Sequence, residues 1–450
     1  MNILFIAVDT LRADHLGCYG YTRNTSPYID AFAAESVLFE AAVAPAIPTQ
    51  PAFVTLNTGQ YPITHGVVAH GGAVVPHAAP WLPKQLQQAG YTTCAIDNLA
   101  EWGRGFRRGY EFYIDPSQQF ALPINCDNRT INRRAIPWLQ QHGHEPFFLF
   151  VHYWDPHTPY LPPRAYRTLF YEGDPSDPNN RSLDGLARHP LGQTWRETWF
   201  SKLGKNITDA NYIEALYDGE IRYCDEGVGQ LLDALEERGL AGNTLVVLTS
   251  DHGELMYRHG IFFDHHGLYD GNIRVPLIVR LPRGTQASRR PSFDAPESTG
   301  PLPRRIPLLV THADLAPTIL ELAGVPVPET MEGTSLAPLL QDQSDTPLHE
   351  FVVSLECTWQ MKWCIRTFQH KFILARAEDF YGSPPRELYD LQRDPNEFHN
   401  IVEKQPDIAR HLEERLESWI AQKMGQNGLT EDPLIAHGLT LGRAWQQNPQ

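Results

Sequence analysis

Three side chains that bind cations well stand where two apolar runs end. Leu245-Val-Val-Leu248 leads into Thr249-Ser250-Asp251-His252-Gly253-Glu254, and Asn2-Ile-Leu-Phe-Ile-Ala-Val8 leads into Asp9. Short unbroken apolar runs of this kind read as buried strands of parallel type. In open α/β sheets, ligands collect at the carboxyl ends of the strands. Asp9, Asp251 and His252 are therefore the expected ligands of one divalent ion. Two carboxylates and an imidazole favour manganese or zinc, with magnesium and calcium as further candidates. Thr49 follows Pro48 and opens a predicted helix, whose free amides and positive dipole end attract an anion. The plainer reading of Thr49 is a helix cap. Imidazoles at His157 and His265 titrate near neutral pH and are candidates for general acid and base; loop histidines satisfied by backbone are the alternative.

The elements needed to position these groups follow from periodicity. Up to about residue 150, short apolar strands (2–8, 37–43, 92–97, 147–151) alternate with helical patterns (26–35, after Pro48, 80–89, 128–141). Such alternation predicts an α/β fold with a large, mostly parallel sheet flanked by helices. Residues 156–208 are rich in Pro, Asp, Asn and Arg and read as an irregular lid or pocket wall. A helix at 209–238, strands at 244–248 and 275–279, a surface loop at 282–306 and a helix at 313–323 complete a catalytic domain over 1–345. Strand-like runs at 351–356, 362–367 and 371–374, then a helix at 404–423, predict a small C-terminal antiparallel sheet with one covering helix over 346–424. A polar tail, 425–450, is either loose or an oligomer contact, so a homo-oligomer is one expected state.

Bulk composition narrows the partners. The 450-residue chain carries 37 basic and 53 acidic side chains, a formal charge of −16. That balance argues against nucleic acid or an anionic membrane surface. A small anionic ester substrate would then need local positive charge from metal, His and Arg. The six cysteines are scattered without a CxxC pair and fit reduced, buried thiols. No apolar stretch is long enough to span a membrane. The first apolar run lacks a basic leader and ends in Asp9, so it reads as a strand and not a signal peptide, and the expected location is cytoplasmic.

Six motifs in order carry a resemblance. They are Asp9-Thr-Leu-Arg-Ala-Asp-His-Leu-Gly-Cys-Tyr-Gly20, Thr58-Gly-Gln-Tyr-Pro-Ile-Thr-His-Gly66, Asp155-Pro-His-Thr-Pro-Tyr160, Ser250-Asp-His-Gly-Glu254, Arg274-Val-Pro-Leu-Ile278 and Glu387-Leu-Tyr-Asp-Leu391. Together they resemble the sulfatase family of the alkaline phosphatase superfamily, over about residues 2 to 401. The resemblance implies the same two-part α/β architecture and a metal-dependent ester hydrolase. It places Thr10 where relatives carry an Asp or Gln ligand. It puts His157 at the family histidine that serves the leaving group, and His265, with His266 as its neighbour, where many relatives have Lys. It also puts His65 and Asn98 near substrate, with His65 read as orienting the nucleophile helix.

One departure decides the chemistry expected. Family sulfatases open the helix at 49 with Cys-x-Pro-Ser/Ala-Arg, and the Cys becomes formylglycine. Here Thr49 takes the Cys position and Phe53 the Arg position. A formylglycine hydrate expels sulfate by collapsing to the aldehyde, which a sulfated threonine cannot do. A phosphothreonine can instead be released by in-line water attack. The resemblance therefore implies a Thr49 nucleophile, itself a metal ligand, acting on phosphodiester or phosphonate monoester bonds. Alternatives are a sulfuric ester hydrolase with an unusual nucleophile, a phosphotransferase, and a non-catalytic metal-binding relative. A second ion held by Asp155, His157 and His266 is a less favoured arrangement.

Overall fold

Strands β1 (Asn2–Val8), β6 (Phe147–Tyr153) and β7 (Thr244–Thr249) are buried at every position, which is why they are written as unbroken apolar runs. Alternate side chains leave opposite faces of a strand. Ile3, Phe5 and Ala7 enter one core, while Leu4, Ile6 and Val8 enter the other. The computed structural model describes residues 1–439 except 72–73, 119–125, 190, 205, 283–303 and 380. Most of the expected surface loop at 282–306 and the end of the polar tail lie outside the described residues.

The remaining strands are β2 (Val37–Val43), β3 (Ala46–Ile47), β4 (Thr92–Ile96), β5 (Phe112–Ile114), β8 (Arg274–Arg280), β9 (Arg304–Thr311), β10 (Phe351–Glu356), β11 (Lys362–Thr367), β12 (His370–Ala375) and β13 (Arg386–Asp390). The large sheet runs β5-β4-β6-β1-β7-β8-β2-β9, and β8 is antiparallel to both of its neighbours. The second sheet runs β13-β12-β11-β10-β3. It is antiparallel apart from β3, which comes from far upstream and pairs parallel with β10. That cross-link was not expected, because two residues leave no periodicity to read. The main helices are α1 (Pro27–Ala34), α2 (Thr49–Thr58), α3 (Asn128–His142), α4 (Ala210–Glu237), α5 (Leu315–Leu322) and α6 (Pro406–Gln426). Helix α6 buries Ala409, Leu412, Leu416 and Ile420, a stripe at helical spacing, with Leu355, Trp363 and Phe372 of the small sheet.

Register places the chemistry. Val8 pairs with Tyr153, Ala7 with Thr249, and Ile96 with Val151. The chain segments leaving β1, β4, β6 and β7 therefore emerge along one edge of the sheet.

Helix α1 shows how the outer layer is attached. Its first turn receives no cap from the Ser26 side chain. Instead Asp225 of α4, which is fully buried, accepts from Tyr28 N at 3.1 Å and Ile29 N at 2.8 Å. Replacing it strands two amides, so Asp225→Ala should cost about 1–3 kcal/mol, read as a lower urea midpoint; an unchanged midpoint would refute the account. Burial lifts the Asp225 carboxyl from the ordinary 3.8 to about 7 despite those bonds. Across that window the native chain holds its proton more tightly than the unfolded chain, so the group's contribution to stability falls as pH rises. Asp225→Asn should lack this fall, with the gap between variant and wild type moving in the variant's favour over the same window.

Candidate active site and metal centre

Asp9, Asp251 and His252 meet at the carboxyl edge, fully buried, with one donor atom of each within 4.8 Å of the others. The two strand tips are stitched together. Leu11 N donates to Ser250 Oγ at 3.0 Å, and Ser250 Oγ donates to the His252 carbonyl. Arg12 donates through Nη1 to the Glu254 carbonyl at 2.8 Å. Gly253 is required here: a Cβ at this position would sit 2.0 Å from the Gly271 carbonyl oxygen.

Thr10 lies beside the cluster in the left-handed region, at φ +54°. That conformation costs a threonine of the order of 1–3 kcal/mol, and such strain concentrates at working sites. It is held by Tyr217, whose hydroxyl donates to the Thr10 carbonyl at 2.7 Å. The Thr10 amide faces Asp251 Oδ1 at 3.3 Å, and its own Oγ1 is buried without a hydrogen bond.

The donor set fits a divalent cation. Both Asp9 oxygens, Asp251 Oδ2 and Thr10 Oγ1 are buried without an adequate hydrogen bond, an arrangement that is costly unless positive charge compensates. Burial, with the charge of Asp9 added to it, raises Asp251 to about 6. Burial would raise Asp9 too, but His152, His157 and His252 bring it down to about 2.

Thr49, the first residue of α2, points Oγ1 at His252 Nε2 from 3.2 Å. It is thus within reach of the same centre. Phe53, one turn on, meets the ring of His152 edge-on at 4.7 Å.

His152 and Asp97 were missed in the sequence. His152 Nδ1 lies 2.9 Å from Asp97 Oδ1 and its Nε2 lies 3.3 Å from Asp9 Oδ2. Asp97 is fixed in turn by the Tyr113 hydroxyl at 2.6 Å and by Leu99 N at 3.0 Å. Burial opposes charge on His152, but the facing carboxylates of Asp9 and Asp97 win and raise it to about 9. The available signal was a lone imidazole in an otherwise apolar strand that points to the ligand-bearing edge.

The remaining candidates divide. His157 Nδ1 bonds the Thr158 carbonyl at 2.6 Å. A carbonyl only accepts, so Nδ1 carries the proton and Nε2 keeps a lone pair. The His157 ring lies 5.0 Å from that of His265, which stacks on His252 at 4.9 Å. Burial, then the neighbouring His252 and His266, push His265 well below its ordinary value, so it is neutral and cannot donate a proton as a cation. The expected substrate contact of His65 does not hold. Its Nε2 pairs with Thr55 Oγ1 at 3.0 Å and its Nδ1 accepts from Val67 N at 3.1 Å, so both nitrogens are spent bracing α2. Asn98 is fully buried just beyond β4, and its neighbour Asp97 holds His152, which stands behind Asp9. His266 turns Nδ1 to Glu356 at 3.1 Å, not to the Asp9 cluster. The second-ion set of Asp155, His157 and His266 is not assembled: Asp155 Oδ2 instead accepts from Asn128 N at the start of α3, at 2.9 Å.

The family comparisons agree with this geometry. The sulfatase profile matches residues 1–325, and that of the N-sulphoglucosamine sulphohydrolase C-terminal region matches 258–422. An N-acetylglucosamine-6-O-sulfatase of Bacteroides thetaiotaomicron is 25% identical, covering 92% of this chain and 86% of the relative. A phosphonate monoester hydrolase of Agrobacterium radiobacter superposes with a TM-score of 0.71 at 21% identity, over 94% of this chain and 96% of that one. A 2-O GAG sulfatase superposes with a TM-score of 0.73 at 22% identity, over 94% and 92%. Those two likenesses speak for the fold, and the profile speaks for descent. The chain belongs to the sulfatase family of the alkaline phosphatase superfamily and is a hydrolase.

Proposed function

We propose that this chain hydrolyses phosphodiester or phosphonate monoester bonds through a covalent Thr49 intermediate, at a centre formed by Asp9, Asp251, His252 and Thr49, with Thr10 beside it. The observation that carries the reading is Thr49 Oγ1 at 3.2 Å from His252 Nε2, at the mouth of a helix that favours anions. A divalent ion bound there, manganese or zinc by the donor set, would lower the pKa of the hydroxyl and polarise the phosphoryl oxygen.

The chain's own groups supply the rest. Thr49 Oγ1 gives up its proton to solvent and bonds phosphorus as the bond to the leaving oxygen breaks, and that oxygen takes the proton of His157 Nε2, the ring being protonated at both nitrogens for this step. Water then attacks phosphorus and gives one proton to His157 Nε2, while the departing Thr49 Oγ1 takes a proton back from solvent and leaves as the alcohol. His265, neutral and stacked on His252, is not needed as the acid. His152 holds Asp9 from behind, the second-layer support that orients a ligating carboxylate. All six cysteines are free and buried, which supports a reducing compartment such as the cytoplasm.

A second reading, sulfate-ester hydrolysis, is favoured by the relatives' names, the N-acetylglucosamine-6-O-sulfatase among them. It requires a route for releasing sulfate that an unmodified threonine does not offer. Side-by-side kcat/KM on an aryl sulfate, a phosphodiester and a phosphonate monoester separates the two.

Thr49→Ala should lower phosphodiesterase kcat by at least about a thousandfold, because removing a nucleophile leaves only binding and charge stabilisation. Thr49→Ser should keep measurable turnover. Intact mass during turnover should show one added phosphoryl group on wild type and none on Thr49→Ala. Sulfate preference, with Thr49→Ala still active, would sink the mechanism.

His152→Gln should weaken metal binding by about 10–100-fold, the usual effect of losing an outer support, with far-UV circular dichroism unchanged. An unaltered metal Kd would show that Asp9 needs no such support.

A further inference from the structure

The loop after β7 folds back on itself and builds a second set of donors. Leu255 and Asp264 pair as an antiparallel bridge, with N–O distances of 2.8 and 3.1 Å in the two directions. That bridge brings the next residues on either side, Glu254 and His265, opposite one another. One donor atom each of Asp264, His265 and His266 lies within 4.8 Å of the others.

The spacings are wrong for hydrogen bonds and right for shared coordination. His266 Nε2 is 3.6 Å from Asp264 Oδ1, His265 Nδ1 is 3.8 Å from the same oxygen, and His265 Nδ1 is 3.6 Å from Glu254 Oε1. Atoms bound at about 2.0–2.2 Å around a tetrahedral ion lie roughly 3.4 Å from each other. Contacts of 3.6 Å are too long to be hydrogen bonds. Glu254 supplies the independent sign: its side chain is fully buried and Oε1 has no hydrogen-bond partner. A carboxylate oxygen in that position is costly without a cation.

The surroundings are those of a supported ligand set. His266 gives Nδ1 to Glu356, which is itself anchored by the amides of Thr358, Trp359 and Gln360 at 2.7–3.0 Å. This carboxylate–histidine arrangement fixes the tautomer and leaves Nε2 with a lone pair for a metal. His189 plays an outer part. Its Nδ1 accepts from Leu191 N, so its Nε2 carries the proton and faces the far oxygen of Asp264 at 3.5 Å.

We propose that Asp264, His265 and His266, with Glu254 facing His265 from beside that set, bind a second divalent cation of borderline softness, zinc or manganese, beside the Asp9 centre. This site differs from the expected Asp155 set and does not depend on which ester is cleaved. It removes His265 from acid–base duty and assigns it to holding charge near the substrate.

The test is a count. Chelator-stripped full-length protein, titrated with Zn²⁺ by calorimetry and checked by elemental analysis, should take up two equivalents. Asp264→Asn and Asp251→Asn should each retain one, from opposite sites. Should Asp264→Asn fail to fold, His266→Gln and a zinc-edge anomalous map of the wild type decide the matter: a peak among Asp264, His265 and His266 supports the site. A single equivalent in wild type, lost in Asp251→Asn, or a map with no peak there, overturns it. The count is taken without substrate. Two ions would stand even if Thr49 is not the nucleophile, and one ion would leave the Thr49 chemistry intact.

Discussion

Two carboxylates cannot share a dry edge without positive charge between them, and the architecture around Asp9 and Asp251 answers to that constraint. Parallel pairing of β1 with β6 and β7 fixes the distance between the strand tips. Ser250 ties the tips together, Tyr217 holds Thr10 in its left-handed conformation, and Arg12 clamps the turn that carries His252. None of these groups needs to touch substrate. Their effect is to leave the Asp9 oxygens, Asp251 Oδ2 and Thr10 Oγ1 short of hydrogen bonds in a buried setting, so that binding a cation becomes the favourable outcome. Pre-organisation of this kind keeps the cost of assembly out of the reaction itself.

Thr49 and Phe53 lie one turn apart on α2, Thr49 against His252 and Phe53 against His152. A family arginine at 53 would bring a guanidinium towards the metal ligands, whereas Phe53 brings only an aromatic edge. That edge rests on His152, the histidine held charged between Asp9 and Asp97. The positive charge behind Asp9 is therefore supplied from β6. An arginine at 53 would meet a buried, charged imidazole in a space now filled by a phenyl ring, so a single reversion would place like charges together.

Some of this was readable in the sequence, for specific reasons. Buried parallel strands announce themselves because both faces are apolar, and the Asp and His that end such runs stand out; β1 and β7 were legible on that ground. The strands at 351–356 and 362–367 coincide with β10 and β11. Less legible were elements with no length or no pattern. β3 has two residues, and β9 begins inside a stretch whose Pro and Arg content read as loop. β13 sits within a motif that was noticed for its identity and not its periodicity. The supporting residues were harder still. His152 was excluded by ending the strand at Val151, and Asp97 was taken as the last residue of a strand. Partnership between them depends on the Ile96–Val151 register, which no local pattern encodes. His65 braces α2 in line with its orienting role, but its partners, Thr55 and Val67, are visible only once α2 is packed.

Finally, the segment that carries His157 and His189 is not a free flap over the site. Trp199 packs against Tyr160 at 5.1 Å and Phe263 at 5.8 Å, and Phe200 against Phe263 at 6.3 Å. Tyr160 lies three residues from His157, and Phe263 immediately precedes Asp264. One aromatic cluster thus sets the position of His157 and of the histidine-rich turn opposite it. Aromatic packing is stiff, because buried rings have few alternative rotamers and interiors are close-packed. Substrate shape in this protein should therefore depend on how that cluster is filled as much as on the residues that touch the ester, since a change of volume at Trp199 would move both walls at once.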